Sequence, residues 1–355
     1  MPLATSSAND QTSEVLRLRK FSSSPHKTKG LRRRTVIWLC GLGLAAPVVV
    51  EAGRVLLGSN FHEVLPGQLY RGAQPSGASL AAMVEKYHIK TVVNVRGCGN
   101  PAPWYLEECR AAQKHDLNLE DVCLSSGRMP PAHEIRRLVE ILDQAETPIY
   151  LHCWRGADRT GIAATMALLL RPDISFAEAR RQLGLRYGHV AMGRPANLDS
   201  FFDVYEYWLK TKGLEHSADQ FRHWACNEYQ GGWLSYAIEK CERTTGPAKR
   251  GEPLGYAVRL RNTGIKSLHF ARCATAGVHL GYQLRDSSST LIDEGQFGHL
   301  EAEVKPGETI DLMLVVSPIQ KAGRYRLLID LIESQHCWLY QAGAEPWEEE
   351  LDIRE

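Results

Sequence analysis

Ten consecutive residues, His152-Cys153-Trp154-Arg155-Gly156-Ala157-Asp158-Arg159-Thr160-Gly161, set a cysteine six positions before an arginine. They stand between the apolar run Ile149-Tyr150-Leu151 and the mostly apolar stretch from Gly161 to Leu170. A strand-like run followed by a helical one puts this loop at a helix N-terminus, where unpaired N–H groups and the helix dipole favour an anion and an ionised sulfur. The chemistry that suits such a place is attack on a phosphate monoester. That ester is a dianion, so the nucleophile must already be charged and its surroundings must tolerate added negative charge.

Cys153 is the candidate nucleophile. Arg159 closes the cradle with a planar fork able to take two equatorial oxygens, which a lysine cannot do bidentately. Trp154, Arg155, Gly156, Ala157, Asp158 and Arg159 form the candidate phosphate-binding set, and Gly156 and Gly161 allow a tight backbone path. Thr160 is expected to donate its hydroxyl to the Cys153 sulfur. His152 is expected to orient the loop and help keep Cys153 ionised.

His-Cys-x5-Arg-Thr-Gly resembles the signature of the protein tyrosine and dual-specificity phosphatase superfamily. Leu69-Tyr70-Arg71-Gly72-Ala73-Gln74-Pro75-Ser76 and the run from Lys90 to Arg96 resemble the opening of its small bacterial and plant-type dual-specificity-like branch. The likeness spans roughly residues 62 to 210. It implies a phosphocysteine intermediate formed without metal or cofactor. A phosphotyrosine- or phosphoserine-type protein is the first substrate it suggests, and a phosphoinositide or sugar phosphate the alternative. It also implies a carboxyl general acid upstream of the cysteine. Asp121, 32 residues before Cys153 and between predicted elements, fits that position. Asp158 is a rival, since some phosphoinositide phosphatases of the superfamily place an Asp just before the loop arginine and use it in proton transfer. Otherwise it is a loop-bracing carboxylate. Glu120 and Glu134 are weaker candidates. From another functional class comes the reading of a catalytically weak surface protein that binds phosphorylated ligands or glycans.

Arg155 adds positive charge beside the loop and suits highly anionic substrates. Arg96, at a predicted strand end, either reaches the same pocket or forms a surface salt bridge. Tyr187-Gly188-His189 could flank the site, with His189 read as structural.

These residues need elements to hold them. Thr91-Val92-Val93-Asn94-Val95 reads as a buried strand, and Ile135, Leu138, Val139 and Leu142 form a helical stripe after Pro130-Pro131. Ser175-Phe176-Ala177-Glu178 opens a further helix as a capping box, and Leu198 to Leu209 marks another. The fold class expected is α/β, a central mostly parallel sheet flanked by helices. Beyond Gly251 the period becomes two, at Tyr256/Val258/Leu260, Ile310/Leu312/Leu314/Val316 and Tyr325/Leu327/Ile329/Leu331, which predicts a C-terminal antiparallel β-sandwich. Its Trp338, Tyr340 and Trp347 suit either a carbohydrate-stacking platform or a core, and a protein partner is the other reading. The organisation expected is a disordered basic tail over 1–34, a membrane segment over 35–57, the catalytic domain over 60–212, a helical linker over 213–250 and the sandwich over 251–355.

The 355 residues, 44% hydrophobic and 23% charged, suffice for two cores, and a net charge of +1 gives no global case for a nucleic-acid partner. The basic excess sits at the front, with eight Lys or Arg before Thr35. Thr35 to Val50 then runs sixteen residues without a charge, and apolar character continues to Leu57. This predicts a signal anchor, or a signal peptide cleaved near Val50-Glu51-Ala52, with everything after Leu57 outside the cytoplasm, so that a single-pass membrane protein with a periplasmic catalytic domain is the expectation. The nine cysteines include no Cys-x-x-Cys pair and form neither a zinc pattern nor a disulfide scaffold.

Overall fold

Short runs of β-branched and apolar residues become the buried middle of a sheet. Thr91–Asn94 (β3) and Ile149–Cys153 (β5) are buried at every position and pair in parallel. With His62–Leu65 (β1), Leu69–Ala73 (β2) and Asn118–Asp121 (β4) they form a five-stranded sheet in the order β1-β2-β5-β3-β4. Only the β1–β2 pair is antiparallel. The computed structural model describes Gly53 and residues 58–99, 102–334 and 336–354.

A parallel sheet must be covered on both faces. Successive strand residues point to opposite sides, so Val92 and Tyr150 join a cluster with Tyr70, Leu80 and Ala111, which lie on β2 and on the helices Gly77–Tyr87 (α1) and Pro103–Lys114 (α2). Val93 and Leu151 face the larger core. It is built from Ala132–Gln144 (α3), Asp158–Leu169 (α4), Phe176–Arg180 (α5) and Ala196–Lys212 (α6). Helix α3 buries Ile135, Leu138 and Val139 as its stripe requires, and Ser175 caps α5 by accepting from Glu178 N–H at 3.2 Å. Helix α4 is buried from Thr160 to Leu169, so the Cys153 loop is seated on the most enclosed helix of the fold.

The C-terminal part is two sheets with one core between them. Thr309–Val316 (β12), Leu254–Asn262 (β7) and Tyr236–Arg243 (β6) make an antiparallel three-stranded sheet. The other, seven-stranded sheet runs through Ala302–Val304 (β11), Leu268–Phe270 (β8), Val278–Asp286 (β9), Gly323–Glu333 (β13) and Cys337–Trp338 (β14). Leu291–Phe297 (β10) lies on β9 and Trp347–Ile353 (β15) on β13. Val258, Leu260 and Leu314 of the first sheet meet Leu280, Tyr282 and Ile329 of the second. The expected fold class, an α/β sheet layered with helices and then an antiparallel sandwich, is what the chain adopts.

The stretch 213–250, expected to be a linker, is divided between the two cores. Phe221 of Ala218–His223 (α7), with Trp224 and Tyr229, fills the helical core, while β6 is an edge strand of the sandwich. Aromatic residues in a connecting stretch are drawn into whichever core has room for them.

The expectation of a membrane span is corrected. Among the described residues no helix is long and apolar enough to cross a membrane. The single-pass, extracytoplasmic placement is withdrawn with it, because it rested on residues 35–57, which apart from Gly53 lie outside the described residues. The basic tail over 1–34 lies outside them too. Cys98, Cys109, Cys123, Cys153, Cys226, Cys241, Cys273 and Cys337 are all free thiols.

Candidate active site

Cys153 ends β5, Asp158 begins α4, and the four residues between them turn tightly. Every carbonyl of that turn is held by a group outside it. Trp154 O accepts from Gln74 N–H at 3.2 Å, Arg155 O from Asn60 Nδ2 at 3.0 Å, and Gly156 O and Ala157 O from Arg71 Nη2 at 2.8 and 3.2 Å. In a trans peptide the N–H points opposite to the C=O. The N–H groups of Arg155, Gly156, Ala157 and Asp158 are therefore turned to the inner side, where those of the first turn of α4 are also free of intrahelical acceptors. That is an anion-binding concavity.

Gly156 is required by the turn twice over. Its φ is +70°, and a Cβ there would overlap the backbone of Gly72 and Ala73.

Arg71 is fully buried beneath the turn. Besides the two loop carbonyls it donates through Nη1 to Gln182 O and Oε1, at 2.5 and 3.0 Å, and its guanidinium stacks 3.9 Å from the Tyr187 ring centre. Burial pulls this guanidinium down to about 10, offset in part by Tyr187 and by Cys153. It remains a cation at neutral pH and shares a Coulombic attraction with the Cys153 sulfur.

Most of the other sequence-predicted residues gather here. Cys153 is 3% exposed, while Trp154 is 60% exposed and Arg155 also faces solvent, so the sulfur is at the floor and these side chains at the rim. Arg159 Nη1 reaches Leu124 O at 3.5 Å, in the connection after β4. His152, wholly buried, has Nε2 2.6 Å from Glu108 Oε1 of α2. The other oxygen of Glu108, Oε2, accepts from Gln74 Nε2 at 3.0 Å. Thr160 does not make the expected bond to Cys153, since its hydroxyl is buried without a hydrogen-bond partner.

Asp121 closes β4, two strands from β5 and level with His152 through their shared partner Asn94. Its oxygens accept from Asn94 Nδ2 at 2.7 Å and from the Tyr105 hydroxyl, which is pushed above its ordinary range chiefly by that bond. Asp158 Oδ1 lies 2.8 Å from His189 Nδ1, whose Nε2 lies 2.9 Å from Asp199 Oδ2. Burial alone would lower His189, but the two carboxylates outweigh it and raise the ring to about 9. His189 is thus an imidazolium clamped between two aspartates. Glu120 lies 3.6 Å from Arg137 and Glu134 3.8 Å from His133.

Among the described residues Arg96 forms no ion pair with a carboxylate, Glu108 acting on it only at a distance. Its guanidinium stacks 3.8 Å from the Trp104 ring centre and 5.7 Å from that of Trp154, close enough to Arg159 and Cys153 to feel both charges. Burial first, and Arg159 next, lower it. The surface salt bridge weighed for it is not formed.

Residues 58–172 match the family described as a DSP-PTPase phosphatase fused to NAD+ kinase. This segment belongs to the dual-specificity and tyrosine phosphatase superfamily. Three solved structures are similar to the chain in part. P. aeruginosa TpbA in complex with pTyr is 19% identical, covering 47% of this chain and 91% of its own, with a TM-score of 0.34. The core catalytic domain of the S. cerevisiae PP-IP phosphatase SIW14, in complex with citrate, is 20% identical over 43% of this chain and 93% of its own, at 0.33. PTPMT1 in complex with PI(5)P is 14% identical over 43% and 98%, at 0.35.

Residues supporting the phosphatase loop that sequence reasoning passed over are Asn60, Arg71, Gln74 and Glu108. Arg71 and Gln74 lay within the quoted Leu69 to Ser76 run but carried no role. Glu108 stands three and four places before Ala111 and Ala112, so a carboxylate on the buried stripe of α2 was the available signal. In the sandwich, Trp347 packs edge-on against Tyr256 while Trp338 neighbours Tyr340 and Gly281, an arrangement of packing rather than of one stacking face.

Proposed function

We propose that this phosphatase hydrolyses phosphate monoesters through a phosphocysteine at Cys153. The observation that carries the reading is the outward tethering of four successive loop carbonyls, which turns the N–H groups inward above a buried sulfur. In the first step the Cys153 thiolate attacks phosphorus, the bond to the ester oxygen breaks, and that oxygen takes a proton from a carboxyl group. In the second, water attacks phosphorus, gives its proton to the same carboxylate, and the S–P bond breaks to release phosphate. Arg159 and the loop N–H groups hold the equatorial oxygens throughout, most tightly as charge shifts in the transition state. His152 orients the loop through Glu108, and Thr160, its hydroxyl unspent, is available to the departing sulfur.

Asp121 is the proposed general acid. It begins the connection whose Leu124 carbonyl touches Arg159, whereas Asp158 is committed to the His189 imidazolium and serves as a brace. The reading calls on side chains and on the loop's own N–H groups, with no metal or cofactor. Phosphorylated protein is the first substrate class proposed. A phosphoinositide or sugar phosphate is a specific second reading, favoured by Arg96 standing unpaired beside Arg159.

The test is hydrolysis of p-nitrophenyl phosphate by the full chain. Cys153→Ser should lower kcat by at least about 10³-fold, and Asp121→Asn by roughly 10² or more at neutral pH. Undiminished turnover in Cys153→Ser would remove the mechanism. A large loss in Asp158→Asn with Asp121→Asn unaffected would exchange the two aspartates' roles.

A further inference from the structure

The connection between β4 and α3, residues 122–131, touches the proposed site at one end. Asp121 immediately precedes it, and Leu124 O accepts from Arg159. Its other end is held largely by residues far along the chain. Met129 N–H donates to His336 Nε2 at 3.1 Å, in the turn between β13 and β14 of the sandwich. The His336 ring is fixed from its other side by Glu333 Oε2, 2.9 Å from Nδ1, so Nδ1 carries the hydrogen and Nε2 presents a lone pair to Met129. Pro130 O accepts from the buried Tyr229 hydroxyl at 2.7 Å. Gly343, at φ +105°, brings the sandwich backbone so close that a Cβ there would lie 3.2 Å from Ala132 N and 3.4 Å from Pro131 Cα. A cavity of about 60 Å³, lined by Met129, Gly232, Glu333, His336 and Leu339 among others, lies at this junction.

We infer that the sandwich is a structural part of the phosphatase site, with His336 as a positioning residue that sets the β4–α3 connection and, through it, Asp121 and the Leu124 carbonyl against Arg159. A backbone N–H at a buried site must have an acceptor, and the helical half of the chain leaves that of Met129 to the sandwich. A ligand or strain that moves the β13–β14 turn would then alter turnover without touching substrate. The functional half of this inference rests on the phosphatase reading above, while the positioning half can be read without any turnover.

The experiment compares the full chain with His336→Ala, which removes the acceptor, and His336→Gln, whose amide oxygen can replace it. Hydrogen exchange across residues 122–131 and kcat and KM for p-nitrophenyl phosphate are measured together, with thermal unfolding as the control. In His336→Ala the connection should exchange faster and kcat should fall roughly tenfold with KM nearly unchanged, as a small displacement of reacting groups costs. His336→Gln should restore both to within about twofold. If His336→Ala does not fold, His336→Gln alone decides, wild-type exchange and kcat supporting the inference and impaired values overturning it. Unchanged exchange in a folded His336→Ala would overturn the positioning role whatever the activity. Faster exchange with unchanged kcat would confine His336 to stability and overturn the link to the site. An inactive wild-type chain whose exchange still responds to His336→Ala would count against the phosphatase reading and not against the positioning.

Discussion

The Asp158–His189–Asp199 chain makes a prediction with a definite pH window. His189 is 2% exposed and bonded at 2.8 and 2.9 Å to two carboxylates, which raise it to about 9 in the folded protein. In the unfolded chain a histidine titrates near 6.5. Between those values the native state holds a proton that the unfolded state has lost, so stability falls as pH rises. The contribution is fully present below about pH 6.5 and gone above about 9, and at 1.36 kcal/mol per pKa unit it is on the order of 3 kcal/mol. The assay is urea unfolding of the wild type and of His189→Gln at intervals from pH 6 to 10. Thiols and tyrosines that titrate at the alkaline end are common to both proteins, so the difference between their free energies isolates the imidazole. That difference should shrink by about 3 kcal/mol across the window. A constant difference, or an NMR titration placing the His189 ring near 6.5, would refute the argument, since the clamp would then add nothing to the charged form.

Other consequences concern the loop and its neighbours. Gly156→Ala puts a methyl into the backbone of Gly72 and Ala73 at a positive φ; turnover of p-nitrophenyl phosphate should drop by at least about 100-fold, since the cradle cannot close around it. Near-normal activity would mean that the turn can open without loss. Arg96→Ala removes an unpaired guanidinium stacked on Trp104. For a substrate with a second phosphate KM should rise about 10- to 100-fold, matching one charged hydrogen bond, while KM for p-nitrophenyl phosphate should stay close to wild type. Equal effects on both substrates would argue that Arg96 shapes the loop instead of reading a second anion. Arg71→Met leaves Gln182 O, Gln182 Oε1 and Gly156 O without their donor at a buried position, while Ala157 O keeps that of Gly161 N–H; the chain should lose roughly 3–5 kcal/mol of unfolding free energy, measured by urea denaturation, and unchanged stability would show that these oxygens find water.

Local pattern was enough for the elements that carry the chemistry. A β-branched run such as Thr91–Asn94 can bury both faces only inside a sheet, and a cysteine followed six places later by arginine, between a strand and an apolar helix, has few uses apart from gripping an anion. The alternation at Tyr256, Val258 and Leu260, or at Tyr325, Leu327 and Ile329, likewise dictates strands with one wet face. None of these needs a distant partner to be read, because periodicity and loop chemistry are properties of neighbouring residues.

What holds the loop is another matter. Asn60, Arg71, Gln74 and Glu108 come from β1's approach, β2, its following turn and α2, and they meet the loop only because parallel pairing stacks the strand ends side by side. His189 reads in sequence as one more structural histidine; two aspartates, 31 and 10 residues away from it, make it a clamped cation. The division of 213–250 between two cores, and the reach of His336 across 207 residues to Met129, depend on where the second core packs. Sequence determines which groups must be satisfied: the carbonyls of a tight turn, a buried guanidinium, an amide at a helix entrance. Which distant atom satisfies each is decided when the chain closes, since a hydrogen bond reaches about 3 Å in space and has no regard for distance along the chain.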